Sequence, residues 1–581
     1  MASRNSMTPH LRETKSSAQL MVNGKPFLML PAELHNSSLS SAEYMSTIWP
    51  KMQAMNINTL LGSVTWEMVE PVENQFDFSE LDKVILGARQ HGLHLVLLWF
   101  GSYKNAKSTY VPTWVKRNPG RFPRVHILDD RRRRKTLELL SPFSEESRKA
   151  DAKAFSKLMQ HLKEIDEEHS TVLMVQVENE PGLLGDSRDR STLAERSFRE
   201  PVSSDLLSYL QKKDQLHPQF QRRWPKFQSE AAKVNQPTWK TLFGQGDAAD
   251  ELFMADIFAR YVAQVASAGK KTYDLPLYTN AWLNFEDPAL LGNDLGFGAG
   301  GHGGTGNTPL VAGGGSKIGE YPSGGPCPHT LDIWQCHTRG VLAFISPDLY
   351  LQDYEWMCRQ YRYDNQPLFI PEQKADEEGA RRTWLAYGTY SSLGCSPFGI
   401  DSIDVKDSPF TETFGLLGSV SQFILEAQAE RPDDMFGFFF DEIDSGKPGR
   451  ESWVRVIGEF EVTVQRSFVF GKPGPGHGIV MHRGEGTFLL IGAGFQVSFR
   501  STKPSATFTG LLISEEKEVD ANGNLRTLRT LNGDETKSGA FMIMPNRDPN
   551  YGGFPIRVTI PARTCIAECT AYSIEEKEEH Y

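Results

Sequence analysis

The sequence predicts an α/β protein, a (β/α)8 TIM barrel followed by a C-terminal all-β, sandwich-like accessory domain. Over residues 20–430, short apolar runs alternate with helical patterns, which favours parallel strands joined by right-handed crossovers. Over residues 431–581, short β-rich runs separated by Gly, Pro and Asn replace the helices, as is typical of a sandwich or barrel. A chain of 581 residues is also too long for one compact core, so several domains are expected.

Each predicted barrel strand is a short apolar run that ends in polar or aromatic residues. The eight strands are predicted at Phe27–Pro31, Ile57–Leu61, Leu93–Trp99, Thr171–Glu180, Pro276–Trp282, Leu342–Tyr350, Gln366–Gln373 and Cys395–Asp401. Helices are predicted between them, with Ser40 or Ser41 as the cap of the first and a long helix over Asp250–Lys270. In the C-terminal region, Asp520–Asn524 has the residues of a hairpin turn.

Three segments depart from this repeat. Residues 1–19 are polar and predict a flexible arm, and insertions are expected near 187–245 and 291–326. The second insertion contains Gly298–Gly303, a formal GxGxxG match without a preceding strand and a following helix, so an active-site loop is favoured over a dinucleotide site. The basic run Arg131–Lys135 is either a solvated loop or a targeting patch.

Composition narrows the class of partner. The net charge of -11 argues against nucleic acid and anionic membranes, and no apolar run reaches the roughly 18 residues of a membrane span. The N-terminus lacks a secretory core and the cysteines form no CxxC, which predicts a cytoplasmic protein, although a trimmed secreted chain would look similar. No metal or other cofactor is expected, because the histidines are scattered without HExxH spacing. A homo-oligomer is left open.

The fourth predicted strand carries the strongest chemical signal. It ends in Glu178, Asn179 and Glu180, directly before Pro181 and Gly182, which stop the strand. In a (β/α)8 barrel, the C-terminal ends of the strands hold the catalytic groups. Taken alone, the two acids fit an ordinary solvated strand end equally well.

Glu372 ends the seventh predicted strand, which lies across the barrel mouth from the fourth. Glycoside hydrolysis needs one carboxylic acid to protonate the leaving oxygen and a second carboxylate to attack the anomeric carbon or activate water. A separation of about 5–5.5 Å implies retention of configuration and roughly 6.5–9.5 Å implies inversion. Glu178 is expected on the same face as Glu180 but deeper in the barrel, so Glu180 is the preferred acid.

Five motifs carry a family resemblance, namely Gln176–Glu180, Ala32–Ser38, Leu98–Asn105, Gly185–Ser191 and Pro367–Glu372. With them the chain resembles glycoside hydrolase family 35 over nearly its whole length, and especially microbial β-galactosidases with a C-terminal domain of unknown function. The resemblance implies a retaining exo-glycosidase that hydrolyses terminal non-reducing β-D-galactose through a covalent glycosyl-enzyme. Glu180 would be the acid/base and Glu372 the nucleophile. Pro181 departs from the aromatic or aliphatic residue of many members, which leaves the leaving-group site undefined.

Further residues at predicted strand ends are candidates for binding the sugar. They are Glu33, His35, Trp66, Glu67, Trp99, Lys104, Asn105, Asn179, Asn280, Trp282 and Tyr350. Asn179 is expected to contact the sugar 2-hydroxyl, and Tyr350 either donates to the nucleophile or is a core tyrosine. His35 has a capping or core role as its alternative, and each tryptophan is either a stacking face or part of the core.

Two alternatives to the β-galactosidase hypothesis remain at this point. A related retaining glycosidase acting on an arabinopyranoside, xyloside or glucoside would keep the same barrel and acid pair. A catalytically silent carbohydrate-binding protein would keep the barrel alone, but the presence of both carboxylates argues against it.

Overall fold

The fold is described from a computed structural model. It describes residues 8–129, 131–227, 229, 234–285, 315–442, 449–467, 473–547, 550–555 and 563–576. The glycine-rich segment that predicted an active-site loop falls mostly on residues 286–314, outside the described residues.

Thirteen described strands lie before residue 398. They are β1 His10–Glu13, β2 Ala18–Val22, β3 Lys25–Pro26, β4 Pro31–Glu33, β5 Thr59–Thr65, β6 His94–Lys104, β7 Arg124–Leu128, β8 Arg134–Leu140, β9 Val172–Asn179, β10 Leu277–Ala281, β11 Phe344–Pro347, β12 Ile370–Gln373 and β13 Cys395–Pro397. Eight of them, β4, β5, β6 and β9 to β13, belong to the barrel. The described helices are α1 Ala42–Ala54, α2 Trp66–Val69, α3 Ser79–Gln90, α4 Thr113–Lys116, α5 Glu145–Asp166, α6 Thr192–Arg199, α7 Ser204–Lys212, α8 Pro218–Arg223, α9 Trp239–Phe243, α10 Asp247–Lys270, α11 Leu331–Thr338, α12 Tyr354–Tyr361, α13 Glu377–Tyr390, α14 Phe410–Ser419 and α15 Ser421–Glu430.

Eight parallel strands form the predicted barrel, which is confirmed. Six of them hydrogen-bond in the order β11-β10-β9-β6-β5-β4, and β12 pairs with β13. Parallel bridges from Leu349 to Gln373 and from Glu33 to Phe398 close the ring between these two groups. Every residue of β5 and β9 is buried, as expected for parallel strands covered on both faces.

The first barrel strand and the N-terminal arm differ from the sequence expectation. Strand β4 is shorter and later than the predicted Phe27–Pro31. Within the expected arm, β1 pairs with β2, and β2 pairs in turn with β3. Ser41 caps α1, because its side chain accepts a hydrogen bond from the Tyr44 backbone N–H.

Two excursions leave the barrel after its third and fourth strands. Strands β7 and β8 form a β-hairpin. The basic run lies in the turn of this hairpin and at the start of β8, rather than in an irregular loop. The predicted insertion after the fourth strand is helical and contains α6 to α9. Helix α10 then packs against α5 on the outside of the barrel.

The C-terminal region is a two-sheet β-structure, as predicted. Its strands are β14 Met435–Phe440, β15 Ser452–Ile457, β16 Phe460–Arg466, β17 Gly476–Gly484, β18 Thr487–Ala493, β19 Phe495–Ser501, β20 Ala506–Val519, β21 Leu525–Thr530, β22 Met542–Met544 and β23 Ile566–Glu575. One sheet has the order β14-β17-β18-β23-β20-β21 and the other β15-β16-β19-β22. The predicted turn at residues 520–524 joins β20 to β21.

Helix α13 links the barrel to this β-structure. The helix follows strand β12 and packs against both β14 and β17. Gly388 and Gly437 allow the close approach, since a Cβ atom at Gly388 would lie 2.5 Å from the Gly437 backbone nitrogen. Among the described residues, no helix has the length and apolar character needed to cross a membrane.

Candidate active site

The end of strand β9 has an irregular backbone. Glu178 and Glu180 both adopt left-handed conformations, with φ of 61° and 47°. These conformations are uncommon for residues other than glycine and asparagine. Opposite them, β6 is out of register, since Trp99 pairs with Val177 but Lys104 pairs with Asn179. The ordinary alternation of side chains along a strand therefore stops here.

Three carboxyl groups meet at the C-terminal ends of the barrel strands. One oxygen of each of Glu180, Asp348 and Glu372 lies within 4.8 Å of the others. The residues follow or end strands β9, β11 and β12, and each is less than 8 % exposed. The predicted acid and nucleophile thus face each other across the barrel mouth.

Two amides hold Glu180 in place. The Asn105 side chain donates to Glu180 Oε2 at 2.5 Å, and the Glu180 backbone N–H donates to Asn280 Oδ1 at 2.9 Å. Asn280 also donates through Nδ2 to Asp348 Oδ2 at 2.7 Å. Asn280 therefore connects Glu180 to Asp348.

Of the two carboxyl oxygens of Glu372, one accepts a hydrogen bond and the other accepts none from the described residues. The Tyr350 hydroxyl donates to Oε2 at 2.8 Å, whereas the buried Oε1 has no hydrogen-bond partner among the described residues. Burial, followed by the charge of Glu372, raises the pKa of Tyr350 well above its usual value. Tyr350 therefore stays a donor at neutral pH, the first of the two roles considered for it.

The carboxyl of Glu33 and the ammonium of Lys104 also belong to the site. Burial and then the charge of Glu372 raise the pKa of Glu33 well above its usual value, against the opposing effect of Lys104. Burial lowers the pKa of Lys104, but the carboxylates of Glu372, Glu180, Glu33 and Asp348 raise it more. Four ionised carboxylates around one ammonium would be a large buried net charge, so protons have to remain on most of them.

Glu180 has the pKa that a proton-transfer group needs. Burial first, and the charge of Glu372 second, raise the pKa of Glu180 to about 7, while Lys104 and a hydrogen bond from Asp348 act in the opposite direction. A general acid works best with a pKa near the operating pH. Glu180 can therefore both hold and release a proton near neutrality.

Several buried polar atoms of the site have no partner among the described residues. These atoms are both oxygens of Glu33, both side-chain atoms of Asn179, Glu372 Oε1, Asp348 Oδ1 and Trp282 Nε1. An unpaired buried polar group costs about 1–3 kcal/mol, so such a concentration at one strand edge indicates a place built for a polar ligand.

Three predicted sugar-binding residues have roles outside the carboxyl cluster. Trp66 and Trp99 are fully buried and donate to Glu70 and Asp151, so they are core residues and not stacking faces. Glu67 pairs with Lys116 on the surface.

His35, 48 % exposed in its side chain, lies 2.7 Å from Asp401 Oδ1 through Nδ1. Its backbone N–H also donates to Asp401. His35 is therefore held at the edge of the barrel by Asp401, which matches the structural alternative better than a place among the carboxyls.

Glu178 does not lie beside Glu180, contrary to the sequence expectation. It occupies a closed pocket with Asp151, where Glu178 Oε2 accepts from the Tyr103 backbone N–H at 2.6 Å. Asp151 accepts from Trp99 Nε1 at 2.9 Å and from the Ser102 backbone N–H at 3.0 Å. Burial and then the charge of Asp151 raise the pKa of Glu178 well above its usual value, so a single proton can join the two carboxyls.

Asp348 was missed as a site residue. It follows Pro347 at the end of β11, and its backbone N–H donates to Ala281. A carboxyl at the end of a predicted strand was an available signal, as it was for Glu180 and Glu372. By distance, Asp348, Glu180 and Glu372 could ligate a cation, but Lys104 already supplies positive charge to all three.

A buried carboxyl pair at facing strand ends of a (β/α)8 barrel is typical of glycoside hydrolases. The comparison of sequences agrees, because residues 37–284 match the glycoside hydrolase family 42 model, described as beta-galactosidase. This match agrees with the predicted glycosidase class. Residues 410–543 match a domain of unknown function, DUF5597.

The family prediction was wrong. The matching family is 42 and not family 35, so the motifs that carried the resemblance did not distinguish between two families of barrel β-galactosidases. No curated protein matches the sequence of this chain.

Solved structures with a similar fold include several glycosidases. The β-galactosidase from Rahnella sp. R3 has 14% identity and a TM-score of 0.41, over 68% of this chain and 56% of its own. The β-galactosidase from Bacillus circulans sp. alkalophilus has 14% identity and a TM-score of 0.42, over 69% and 57%. The β-mannanase from the blue mussel Mytilus edulis has 13% identity and a TM-score of 0.37, over 73% and 97%. The chain spans little more than half the length of the two β-galactosidases.

Proposed function

We propose that this protein is a retaining exo-glycosidase that hydrolyses terminal non-reducing β-D-galactose residues. The observation that carries the proposal is the pair Glu180 and Glu372, whose carboxyl oxygens approach within 4.8 Å. This close approach agrees with the roughly 5–5.5 Å between the carboxyl groups of retaining enzymes. The galactoside preference is supported by the description of the matching family.

In the first step, Glu180 protonates the leaving oxygen while Glu372 attacks the anomeric carbon. The C–O bond to the aglycone breaks, and an ester forms between the sugar and Glu372. The proton and the leaving group depart together as the free alcohol or sugar. The unpartnered Glu372 Oε1 is available for attack, because Tyr350 occupies only Oε2.

In the second step, Glu180 acts as the base. The charge of Glu372 is one cause of the raised pKa of Glu180, and ester formation removes that charge. The pKa of Glu180 therefore falls in the intermediate, and the ionised carboxylate can take a proton from the attacking water. Water then releases the sugar with its original configuration.

The unpartnered polar atoms support a pocket for a single sugar residue. Asn179 lies beside Glu180 in sequence and has both side-chain atoms free of partners among the described residues, so it can bind the 2-hydroxyl. Glu33 and Lys104 can bind further hydroxyls at the bottom of the pocket. Trp282 is half-buried with an unpartnered Nε1, which suits a polar contact at the rim of the barrel.

Hydrolysis of nitrophenyl β-D-galactopyranoside tests the proposal. Wild type is expected to turn it over with β-galactose as the first product in an NMR time course. Glu372→Ala and Glu180→Ala are both expected to lose turnover by roughly 10²–10⁴-fold or more. Azide should rescue only Glu180→Ala, as β-galactosyl azide, because that variant still forms the ester.

Glu67→Ala is the matched control, since Glu67 is a partly exposed carboxylate outside the carboxyl cluster. It should keep wild-type turnover. Cleavage of an arabinopyranoside, xyloside or glucoside in place of the galactoside would leave the mechanism intact and refute the galactose preference. Full activity of both alanine variants would refute the site.

Two finer predictions remain proposals. A cytoplasmic location was expected from the sequence, and assembly into a homo-oligomer was left open. Size-exclusion chromatography with light scattering would measure the second.

A further inference from the structure

Asp348 is a buried carboxyl that the two-carboxylate mechanism does not use. It is 2 % exposed, and its oxygen lies within 4.8 Å of the oxygens of both Glu180 and Glu372. Its Oδ2 accepts from Asn280, while Oδ1 has no hydrogen-bond donor among the described residues. A carboxylate buried in this way would leave one charged oxygen unpaired beside two other acids, which is costly.

The surroundings of Asp348 are mostly acidic. The titratable groups that interact with it electrostatically are Glu33, Lys104, Glu180, Tyr278, Tyr350, Tyr361 and Glu372. Lys104 is the cation of this set, and it is shared with three other carboxyls. The neutral form of Asp348 removes one negative charge from this group and turns its second oxygen into a donor.

The neighbouring hydrogen bonds determine where that donor points. Asn280 Nδ2 occupies Oδ2 of Asp348, and Asn280 Oδ1 is already taken by the Glu180 backbone N–H. Oδ1 of Asp348 is therefore the oxygen left to carry a proton, and the Glu180 carboxyl, with an oxygen within 4.8 Å of an Asp348 oxygen, is a neighbouring acceptor. Asn280 therefore fixes both residues in the geometry that brings the two carboxyls together.

We propose that Asp348 is a positioning residue that stays protonated and donates a hydrogen bond to the Glu180 carboxyl through both steps of the reaction. The proposal rests on the function proposed above. In the first step this bond holds the acid toward the leaving oxygen. In the second step it stabilises the ionised Glu180 that activates water, so its main effect falls on release of the sugar.

The pKa values are consistent with this arrangement. Burial first, then the charges of Glu372 and Glu180, raise the pKa of Asp348 well above its usual value. The hydrogen bond from Asp348 acts to lower the pKa of Glu180. Removing the donor should therefore raise the pKa of Glu180 and weaken it as a general acid and as an ionised base at neutral pH.

Asp348→Asn and Asp348→Leu form a matched pair for the test. The asparagine keeps an N–H donor toward Glu180 and an oxygen toward Asn280 but cannot ionise, so it imitates the protonated acid. The leucine removes the donor at similar volume. A dinitrophenyl β-galactoside is the substrate for kcat, because its leaving group needs little acid assistance and its turnover is limited by sugar release. A phenyl β-galactoside, whose leaving group needs the acid, is the substrate for the pH profile of kcat/KM.

We expect Asp348→Asn to keep kcat within about threefold of wild type and the alkaline limb of kcat/KM unchanged. Asp348→Leu should lower kcat about tenfold. It should also move the alkaline limb of the kcat/KM profile to a pH about one unit higher, which corresponds to the loss of one hydrogen bond. Azide should restore turnover of the leucine variant, since azide attacks without a base.

Infrared difference spectroscopy gives a readout that does not depend on turnover. Wild type at neutral pH should show a protonated carboxyl C=O band that disappears in Asp348→Asn. If no band is lost, or if the asparagine variant moves the limb downward, Asp348 is ionised in the wild type and the proposal is overturned. An unchanged limb in a folded leucine variant overturns it as well. If the leucine variant does not fold, the asparagine variant and the infrared band decide alone.

This test separates the inference from the proposed function. Failure of wild type to turn over any β-glycoside, or failure of azide to rescue Glu180→Ala, refutes the function. The infrared band still reports the protonation of Asp348 in that case.

Discussion

Glu178 and Glu180 lie two residues apart on the same chain, both buried and both with a raised pKa, yet their surroundings differ. In the pocket of Glu178, three of four carboxyl oxygens accept from fixed donors of β6, and one shared proton completes the pairing with Asp151. Around Glu180, several oxygens and amide atoms have no partner among the described residues. Burial and a raised pKa are therefore not sufficient to identify a catalytic acid. Unsatisfied polar atoms that converge from several strands distinguish the site.

The largest expected difference between the two regions is in activity. Glu180→Gln should lower turnover of a phenyl galactoside, which has a poor leaving group, by about 10²–10⁴-fold, because the amide cannot donate a proton as an acid does. Glu178→Gln should stay within about threefold, because its amide can accept from Tyr103 and donate to Asp151. Steady-state kinetics of the two variants measure both effects. Similar losses in both would mean that the two carboxyls act together.

The next largest effect is on stability, in the Glu178 pocket. Glu178→Leu should lower the free energy of unfolding by about 2–5 kcal/mol, since it leaves the Tyr103 N–H without an acceptor and Asp151 without the shared proton. Glu178→Gln is the control and should lose far less. Urea unfolding followed by fluorescence measures both values. Equal stability of the leucine and glutamine variants would contradict the shared proton.

The raised pKa of Glu178 beside Asp151 predicts how the stability of the protein depends on pH. The pKa of Glu178 is raised in the folded state, so its contribution is fully present below the unfolded value near 4.5 and is lost as pH rises through the folded pKa. Glu178→Gln has no proton to lose. The stability of wild type relative to this variant should therefore decline from pH 5 to pH 9, and a constant difference would show that Glu178 does not titrate.

Gly101 lies on β6 and borders the pocket of Glu178 and Asp151. A Cβ atom at Gly101 would lie within 3 Å of Trp99 Nε1, Asp151 Oδ1 and Glu178 Oε1. Gly101→Ala should therefore lower the free energy of unfolding by about 1–3 kcal/mol through overpacking. A smaller loss of activity is expected as well, because Lys104 ends the same strand and Asn105 follows it. Chemical denaturation and kinetics at one temperature give both numbers. An alanine tolerated without loss would mean that the pocket is larger than described.

The smallest effect concerns the pH profile of the wild type. Because the pKa of Glu180 is raised to about 7 and the acid must be protonated for the first step, kcat/KM should fall above neutral pH. In Glu180→Gln this limb should be absent. A limb that persists in that variant would assign the titration to another group.

Much of the barrel was predictable because each strand is a short buried run with polar residues at its end. Those strand ends also gave Glu180, Glu372 and Tyr350. The position of Glu178 was not predictable, since alternation along a strand places it with Glu180 and only the left-handed backbone at both residues separates them. Trp66 and Trp99 are of a residue type that can stack on sugars, but the Trp66 ring packs on Trp114 and the Trp99 ring on Phe155 of α5. Asp348 carried the strand-end signal as well, but its proximity to Glu180 and Glu372 arises only where β9, β11 and β12 end together at the barrel mouth.

The contact between α13 and β14 has a consequence for how the molecule comes apart. The Thr389 hydroxyl donates to the Gly437 carbonyl at 2.8 Å and accepts from its N–H at 3.0 Å, while the two glycine backbones touch. Helix α13 begins five residues after Glu372, so the segment that carries the proposed nucleophile packs against the C-terminal sheet. Barrel and sheet should then melt in one cooperative transition, and a chain cut between them should yield an unstable barrel instead of a minimal enzyme.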